Sequence, residues 1–455
     1  MTRSASTTSS QNPATLPSSP PTHNLRRIGL IPFVAVLFAY CTGGPFGVES
    51  MISTSGPGVA LVFLLLVPLL FSVPIALAAA EMATIMPVEG GFYRWSRAAL
   101  GDFWGFQAGW WNWTGSFLMS AAYGVAMADY VDNWIPLHSR MDHWLLAFFF
   151  LLIVAGINIL GIQVVGELTV VLLAVMFVPL VIFVFKGYHH AQFNPFVPWF
   201  PAGRPWREAY GVGLAIALWS YAGYEQLSTV IEEVREPERN FPLGLAIAVP
   251  LAVVSYFLPF SAGLAALGNW QKWETGYLVT AARLVGGEWL GTAMFVGAVI
   301  GTFVLLESTI LSVTRVPLTM AEDGYLHSGL AKVSEKFGTP VRSILLSTAF
   351  CAVLAVFSVP QLIAVYAWAR MATSFLTLLS FWQMRRKFAD APRSFRAPGG
   401  AKAAVAMVVV PTLLFAWAMI NSDPATRLWG ILTLVSGPAA YLWIWRRRKM
   451  RASQV

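Results

Sequence analysis

Cys41-Thr42-Gly43-Gly44-Pro45-Phe46-Gly47 interrupts an apolar run over 28–52, and the reading of this stretch decides the fold. Adjacent glycines remove the steric bias toward helix, and Pro45 has no N–H to donate and clashes with a preceding turn. The pattern predicts a helix that stops and restarts, with Pro45 at the first position of the second half, where a missing N–H costs nothing. In hydrocarbon, unpaired backbone groups cost several kcal/mol each, so such a break persists only where it lines a cavity or grips a ligand. Free N–H groups around Gly43 and Gly44 point a positive dipole end at an anion such as a carboxylate.

That the surroundings are hydrocarbon follows from composition. Of 455 residues, 57% are hydrophobic and 11% charged, against about 25% charged in soluble proteins. The apolar runs last about 20 residues and lack the ten-residue alternation of a membrane barrel, so the chain reads as an all-α integral membrane protein. This excludes soluble enzymes, nucleic-acid binders and secreted disulfide scaffolds. Cys41 and Cys351 are the only cysteines and stand far apart, which supports neither a disulfide framework nor a metal site. His23, His138, His143, His189, His190 and His327 fall in tails or loops, leaving no histidine at membrane depth to act as a base. The loops lack a His-Glu-x-x-His or Gly-x-Ser-x-Gly pattern, so no enzyme, catalytic residue, cofactor or metal is expected.

About twelve spans are expected, over 28–52, 57–85, 102–131, 144–160, 164–186, 208–234, 242–267, 288–318, 342–359, 361–384, 403–421 and 426–445. The Ser-, Thr- and Pro-rich residues 1–25 read as a disordered tail and, without an apolar stretch, not as a secretory signal. Residues 26–390 would form a ten-helix core, 391–446 two additional helices, and 447–455 a basic tail. The termini and the loops on their side hold 22 of the 30 Lys+Arg, the opposite loops seven, and Arg370 alone lies inside a span. This asymmetry predicts a multi-pass protein of the plasma (inner) membrane with both termini cytoplasmic, and it explains the net charge of +8 without a nucleic-acid partner. The aromatic content, 14%, includes Trp104, Trp110, Trp111 and Trp113 at the start of the third span, read as interfacial anchors and packing residues.

The sixth span carries Trp219-Ser220-Tyr221-Ala222-Gly223-Tyr224-Glu225 at its middle. A lone glycine is a weak signal. Its position is a stronger one, because spans one and six are equivalent members of two five-helix halves, and breaks in corresponding positions mark an inverted-repeat transporter with its site at the midplane. Glu49, Glu167, Glu225, Glu307 and Arg370 lie within spans. Each is expected to face the bundle interior, pair or be protonated, for example as an Arg370–Glu307 ion pair, and a buried carboxylate is the expected carrier of a coupled proton. Glu81, Glu232 and Glu233 lie at helix ends, where capping and pairing with Arg94, Arg97 or Arg235 is expected.

Four ordered motifs carry a family resemblance: Gly43 to Glu49; Glu81-Met82-Ala83 with Pro87, Gly90, Gly91, Phe92 and Trp95; Glu232-Glu233-Val234 with Pro237, Asn240 and Pro242; and Met320-Ala321-Glu322-Asp323-Gly324. Over about residues 26–420 the chain resembles the amino acid-polyamine-organocation superfamily of secondary transporters, with the first-helix signature most similar to the polyamine:proton symporter branch. The resemblance implies two inverted five-helix repeats with broken first and sixth helices, plus two C-terminal helices, working by alternating access. It implies that the backbone of Thr42, Gly43, Gly44, Pro45, Phe46 and Gly47 receives a carboxylate or other polar group. By the same inheritance, the carbonyls of Trp219, Ser220, Tyr221, Ala222 and Gly223 receive an ammonium, with Trp219 and Tyr221 as aromatic walls and Glu225 as a polar neighbour.

Two departures stand out. The third span has no carboxylate from Phe103 to Ala128 and the tenth none from Gln361 to Arg385, whereas a long polycation calls for several. Proton-coupled amino-acid members carry a lysine on the fifth helix, and Val164 to Phe185 contains neither lysine nor arginine. The expected function is a permease for amino acids or related amines and polyamines, driven by proton symport. An amino acid exchanger is the alternative within transport, sodium coupling through Ser308, Thr309 and Ser312 a third mechanism, and a non-transporting nutrient sensor the rival class.

Overall fold

Every expected span corresponds to a helical body in the computed structural model, which describes residues 26–132, 136–203, 205–420 and 424–452. The tail expected over 1–25 and the last three residues of the basic tail lie outside the described residues. The first span is α1 (Leu30–Cys41) and α2 (Ser50–Ser55), separated by the break. The second is α3 (Pro57–Val67), a π-helical turn at Pro68–Ser72, and α4 (Val73–Ile85). After the short α5 (Gly91–Leu100) come α6 (Asp102–Asp132), α7 (Arg140–Leu160) and α8 (Ile162–His189).

The second half opens with α9 (Trp206–Ser220), which stops at the second break and resumes as a 3₁₀ helix at Gln226–Glu233. Next are α10 (Pro237–Leu267), α11 (Tyr277–Gly286), α12 (Glu288–Val313), α13 (Arg315–Glu322), α14 (Val341–Leu354) and α15 (Val359–Lys387). Two further helices, α16 (Gly400–Ile420) and α17 (Pro424–Ala452), complete the chain. Pro242, Pro250 and Pro259 all sit inside α10 without ending it, as packed membrane helices permit. His143 and His189 fall in the end turns of α7 and α8 rather than in loops.

Among the described residues, seven helical stretches are long and apolar enough to cross a membrane: Pro57–Ile85, Arg140–Leu160, Ile162–His189, Pro237–Leu267, Glu288–Glu322, Gly400–Ile420 and Pro424–Arg447. The long helices α6 and α15 are more polar because they pack against each other at the centre of the bundle. Their polar side chains, Gln107, Asn112, Ser116 and Ser120 on one and Arg370, Thr373, Ser374, Thr377 and Ser380 on the other, are buried. The tryptophans of α6 hold it to its neighbours. Trp110 Nε1 donates to Ser436 Oγ at 3.0 Å, Trp111 Nε1 to the Leu434 carbonyl at 2.9 Å, and Trp113 Nε1 to Ser347 Oγ at 3.1 Å.

The connectors α5 and α11, too short to register as spans in the sequence, expose the internal repeat. Each follows a glycine at positive φ, Gly90 (83°) and Gly276 (87°), and each ends at another, Gly101 (95°) and Gly287 (83°). In each, an arginine of the last turn reaches an acidic residue that opens the next helix: Arg97 Nε to Asp102 Oδ1 at 2.7 Å, Arg283 Nε to Glu288 Oε2 at 2.8 Å. Each arginine then crosses a glycine one turn into that helix. A Cβ on Gly105 would lie 2.5 Å from Arg97 Cβ, and one on Gly291 2.8 Å from Arg283 Cβ. All five residues of the second set stand the same distance along the chain from their counterparts in the first.

Packing this close makes both glycines sensitive to any side chain. Gly105→Val and Gly291→Val are each expected to destabilise the fold by about 1–3 kcal/mol through overpacking, read as a lower thermal unfolding midpoint of the detergent-solubilised protein. An equal midpoint in either variant would mean that connector is free to shift.

Candidate functional site

At the first break the chain turns through three glycines of positive φ, Gly43 (55°), Gly44 (97°) and Gly47 (86°). Gly43 also lies against the Gly301 carbonyl and Leu305 of α12, so a side chain there has no room. The freed amides find local partners. Gly44 N donates to Thr42 Oγ1 at 3.0 Å, and Gly47 N to Glu49 Oε2 at 2.8 Å. Helix restarts at Ser50, not at Pro45 as the sequence suggests, because residues 43–47 turn through those left-handed conformations first.

The second break is real despite its single glycine. Gly223 (φ 127°) faces Tyr40 so closely that a Cβ would lie 3.0 Å from the ring. The carbonyls around it are largely engaged: Tyr221 O accepts from Ser72 Oγ at 2.8 Å, Gly223 O from Gln226 N at 3.0 Å, and Trp219 O from Ala222 N at 3.3 Å. Tyr256 of α10 joins the breaks, its hydroxyl lying 3.5 Å from the Thr42 carbonyl and 3.4 Å from that of Ser220.

Between the breaks is a small, partly enclosed cavity of about 40 Å³, room for a few waters. Of the residues expected at the site, Thr42, Phe46, Trp219, Ser220 and Ala222 line it. Gly43, Gly44, Pro45, Gly47 and Gly223 shape the backbone behind the wall. Tyr221 points away, its hydroxyl donating to the Leu64 carbonyl at 2.8 Å, so it is no wall in this conformation. The sequence reading missed Tyr40, Tyr123, Tyr256 and Tyr366, which supply much of the lining. Their signal is a phenol at mid-span, far from any interface, where its hydroxyl needs a partner.

The charged residues sort themselves by partner. Arg370 pairs with Glu225 (Nη2 to Oε1, 3.1 Å), not with Glu307. Glu225 Oε1 also accepts from Ser374 Oγ at 2.6 Å, and the Arg370 guanidinium stands 6.0 Å from the centre of the Tyr40 ring. Glu307 is fully buried and lies 3.2 Å from Thr169 Oγ1 of α8. Glu49 is fully buried beside the amides of Gly276 and Leu278 at the start of α11. Glu167 is exposed, contrary to the expectation of an inward or paired group; it lies near the start of α8, where a carboxylate can reach the interface. The hydroxyls of Ser308, Thr309 and Ser312 donate to the carbonyls of Val304, Leu305 and Gln226.

One face of the bundle is closed by ion pairs between α5 and the end of α13. Arg94 meets Glu322 at 2.7 Å, Arg97 meets Asp323 at 2.8 Å, and Tyr93 Oη donates to Asp323 Oδ2 at 2.8 Å. Arg315 binds both oxygens of Glu233, at 2.8 and 3.2 Å, and Glu232 accepts from Glu89 N at 3.0 Å. Burial, then the nearby Glu233, Glu322 and Glu232, pushes the Glu89 carboxyl well above the usual range, against the pull of Arg315. On the same face Ile28 pairs in both directions with the strand-like end of the second break, through Glu233 O and Arg235 N, each at 2.9 Å. Glu81 is paired with Arg385 (2.6 Å) and Arg393 (2.8 Å) rather than with the arginines of α5. The opposite face is held where Ser53 Oγ of α2 donates to the Trp273 carbonyl at 2.8 Å.

The family model described as amino acid permease matches residues 33–438. A probable polyamine transporter of Arabidopsis thaliana is 29% identical over 426 residues, covering 93% of this chain and 85% of that protein. The polyamine transporter PUT1 of Oryza sativa subsp. japonica is 30% identical over 393 residues, 86% of this chain and 73% of its own. An uncharacterized transporter of Mycobacterium tuberculosis is 30% identical over 332 residues, 72% of this chain and 73% of its own. With its paired helix breaks and twelve helical bodies among the described residues, the chain belongs to the amino acid permease family of membrane transporters.

Proposed function

We infer that this permease carries a small molecule bearing an ammonium group, an amino acid or an amine with polyamines included, across the plasma (inner) membrane by alternating access with proton symport. The observation that carries this reading is the meeting of two helix breaks at one small, tyrosine-rich cavity. An aromatic enclosure attracts a cation through the faces of its rings, and the polyamine transporters among the relatives favour the same chemistry. Glu225 is the carboxylate nearest the second break, and Arg370 neutralises it. The cavity therefore presents no net charge of its own to a polycation, which favours cargo with one ammonium or with a carboxylate to balance it. The Lys+Arg asymmetry supports a cytoplasmic side that includes α5 and the termini.

Binding is tested by thermal shift on the purified full chain with leucine, arginine, putrescine and spermidine as probes. At least one is expected to stabilise the protein, by about 2.7 kcal/mol at a hundredfold excess over Kd, with its ammonium-free analogue inactive. Trp219→Ala is expected to weaken that binding several-fold, since an aromatic face contributes about 0.5–2 kcal/mol to a cation. Stabilisation by none of the four, or equally by the ammonium-free analogues, would overturn the assignment of cargo. In proteoliposomes, an inward-directed proton gradient is expected to drive accumulation of the stabilising probe, whereas gradient-independent exchange of equal size would place the protein among antiporters.

The ion pairs of α5 offer a test of alternating access, because Cys41 lines the cavity and reports its exposure. In a Cys351→Ala background, Arg94→Ala combined with Arg97→Ala is expected to raise the rate at which a water-soluble thiol reagent modifies Cys41. Unchanged protection of Cys41 would mean that these pairs do not gate the site.

A further inference from the structure

Glu307 differs from every other fully buried carboxylate of the spans in what it lacks. Glu81 is bound by Arg385, Arg393 and the Ala397 amide, Glu225 by Arg370 and Ser374, and Glu49 by the Gly47 amide. Among the described residues Glu307 has one polar neighbour, Thr169 Oγ1; its Oε1 has no partner, as Glu49 Oε1 and Glu225 Oε2 have none, but the other oxygen of Glu49 holds an amide and that of Glu225 a guanidinium. The Thr169 hydroxyl has a single hydrogen to share between the Val165 carbonyl at 2.7 Å and Glu307 Oε2 at 3.2 Å, and the shorter contact favours the carbonyl. With its hydrogen on that carbonyl, Thr169 Oγ1 is left as an acceptor at 3.2 Å, and Glu307 Oε2 then completes the bond only as a protonated carboxyl. An ionised carboxylate in this setting would be desolvated and unpaired, which costs far more than binding the proton.

Among the described residues, the elements packed on α12 bring no compensating charge. The charged residues of α6, α7 and α8 lie toward their ends: Asp102, Asp129 and Asp132; Arg140, Asp142 and His143; exposed Glu167, Lys186 and His189. On α11, Arg283 is paired with Glu288, and on α13 Arg315 is paired with Glu233. Tyr40 and Cys41 of α1 and Tyr123 of α6 face the cavity, and Tyr130 of α6 lies against Thr302. Asn158 of α7 donates to the backbone carbonyl of Glu307 at 3.2 Å, not to its carboxyl.

We propose that Glu307 is the proton-binding residue of this permease, protonated in this conformation and donating to Thr169 Oγ1. The assignment rests on the proton-symport reading for its role in transport, though the protonated carboxyl can be observed without transport. Leu305 and Thr309, on either side of Glu307 in sequence, line the cavity, and Leu305 packs on Gly43 of the first break. A shift of α12 against α8 and α1 that opens the cavity also separates Glu307 from Thr169 and admits water. The carboxyl O–H bond then breaks, the proton passes to water, and the hydrated carboxylate remains until the bundle closes on a fresh proton.

Infrared spectroscopy of the purified full chain near neutral pH is expected to show the C=O stretch of a protonated carboxyl that Glu307→Gln abolishes and Glu225→Gln and Glu49→Gln retain. Thr169→Val, which removes the acceptor but leaves the carboxyl, is expected to keep the band and move it to higher frequency. This second variant decides the matter if Glu307→Gln fails to fold. Because the raised Glu89 carboxyl contributes its own band, the reading is the wild-type-minus-variant difference: no protonated-carboxyl component lost in Glu307→Gln, or none moved in Thr169→Val, overturns the assignment. In proteoliposomes with labelled putrescine and leucine as probes, Glu307→Gln is expected to lose gradient-driven accumulation while retaining exchange at equal pH; retained accumulation also overturns it. Failure of the wild type to move either probe would count against the transport reading, while the infrared result would still judge the proton site.

Discussion

Backbone hydrogen bonding in hydrocarbon is the constraint on which the rest of this structure depends. A helix broken at membrane depth strands amide and carbonyl groups that neither lipid nor water can satisfy, so the surrounding bundle must supply partners. Here the partners come from nearby hydroxyls and carboxylates: Thr42 for the Gly44 amide, Glu49 for the Gly47 amide, Ser72 for the Tyr221 carbonyl. Tyr256 does more, because one phenol stands between a carbonyl of each break. The breaks are thus stabilised as a pair, and the polar backbone that they expose is concentrated at one cavity.

The charges of the spans obey the same rule by other means. Arg315 with Glu233, Arg385 and Arg393 with Glu81, and Arg370 with Glu225 are buried pairs in which each ion offsets the desolvation of the other. Removing one partner of such a pair would leave a bare charge, at a cost of about 3–5 kcal/mol. These pairs also tie elements remote in sequence: the second break to α13, α4 to α15, and the second break to α15. Their placement makes the bundle a set of bodies joined by charge rather than by apolar packing alone, which is the kind of joint that can exchange partners when the bodies move.

How much of this was legible in the sequence depended on whether the signal was local. The length of the apolar runs gave the helical bodies, and Gly43-Gly44-Pro45 gave the first break, because both are set by the chemistry of consecutive residues. The second break was weak on its own glycine and became clear only through its equivalence with the first. Pairings were not legible, because the partner of Arg370 depends on the rotation of α15 about its axis, which brings Glu225 rather than Glu307 to the guanidinium. Glu167 was misjudged for the same reason: its span was plain, its facing was not. The connectors α5 and α11 escaped a search for spans, yet the recurrence of glycine, arginine, glycine, acid and glycine at one spacing was present in the sequence throughout. The mid-span tyrosines were masked by the many aromatic residues read as interfacial anchors.

The position of Tyr256 bears on how a cargo and a conformational change could be linked. Its hydroxyl has one hydrogen and two carbonyls to serve, at 3.5 and 3.4 Å, so neither bond is at its optimum. The cavity holds only a few waters in this state, so any cargo must separate the walls to enter, and separating α1 from α9 stretches the bridge that Tyr256 makes. An ammonium placed between the breaks could donate to the same carbonyls with several hydrogens instead of one. In the proposed cycle, such a cargo would restore what opening removes, and a closed bundle around it would satisfy both breaks better than the phenol alone. A carboxylate without an ammonium can make no such donation, and the physical basis of selectivity would then be the count of donors delivered to two facing carbonyls.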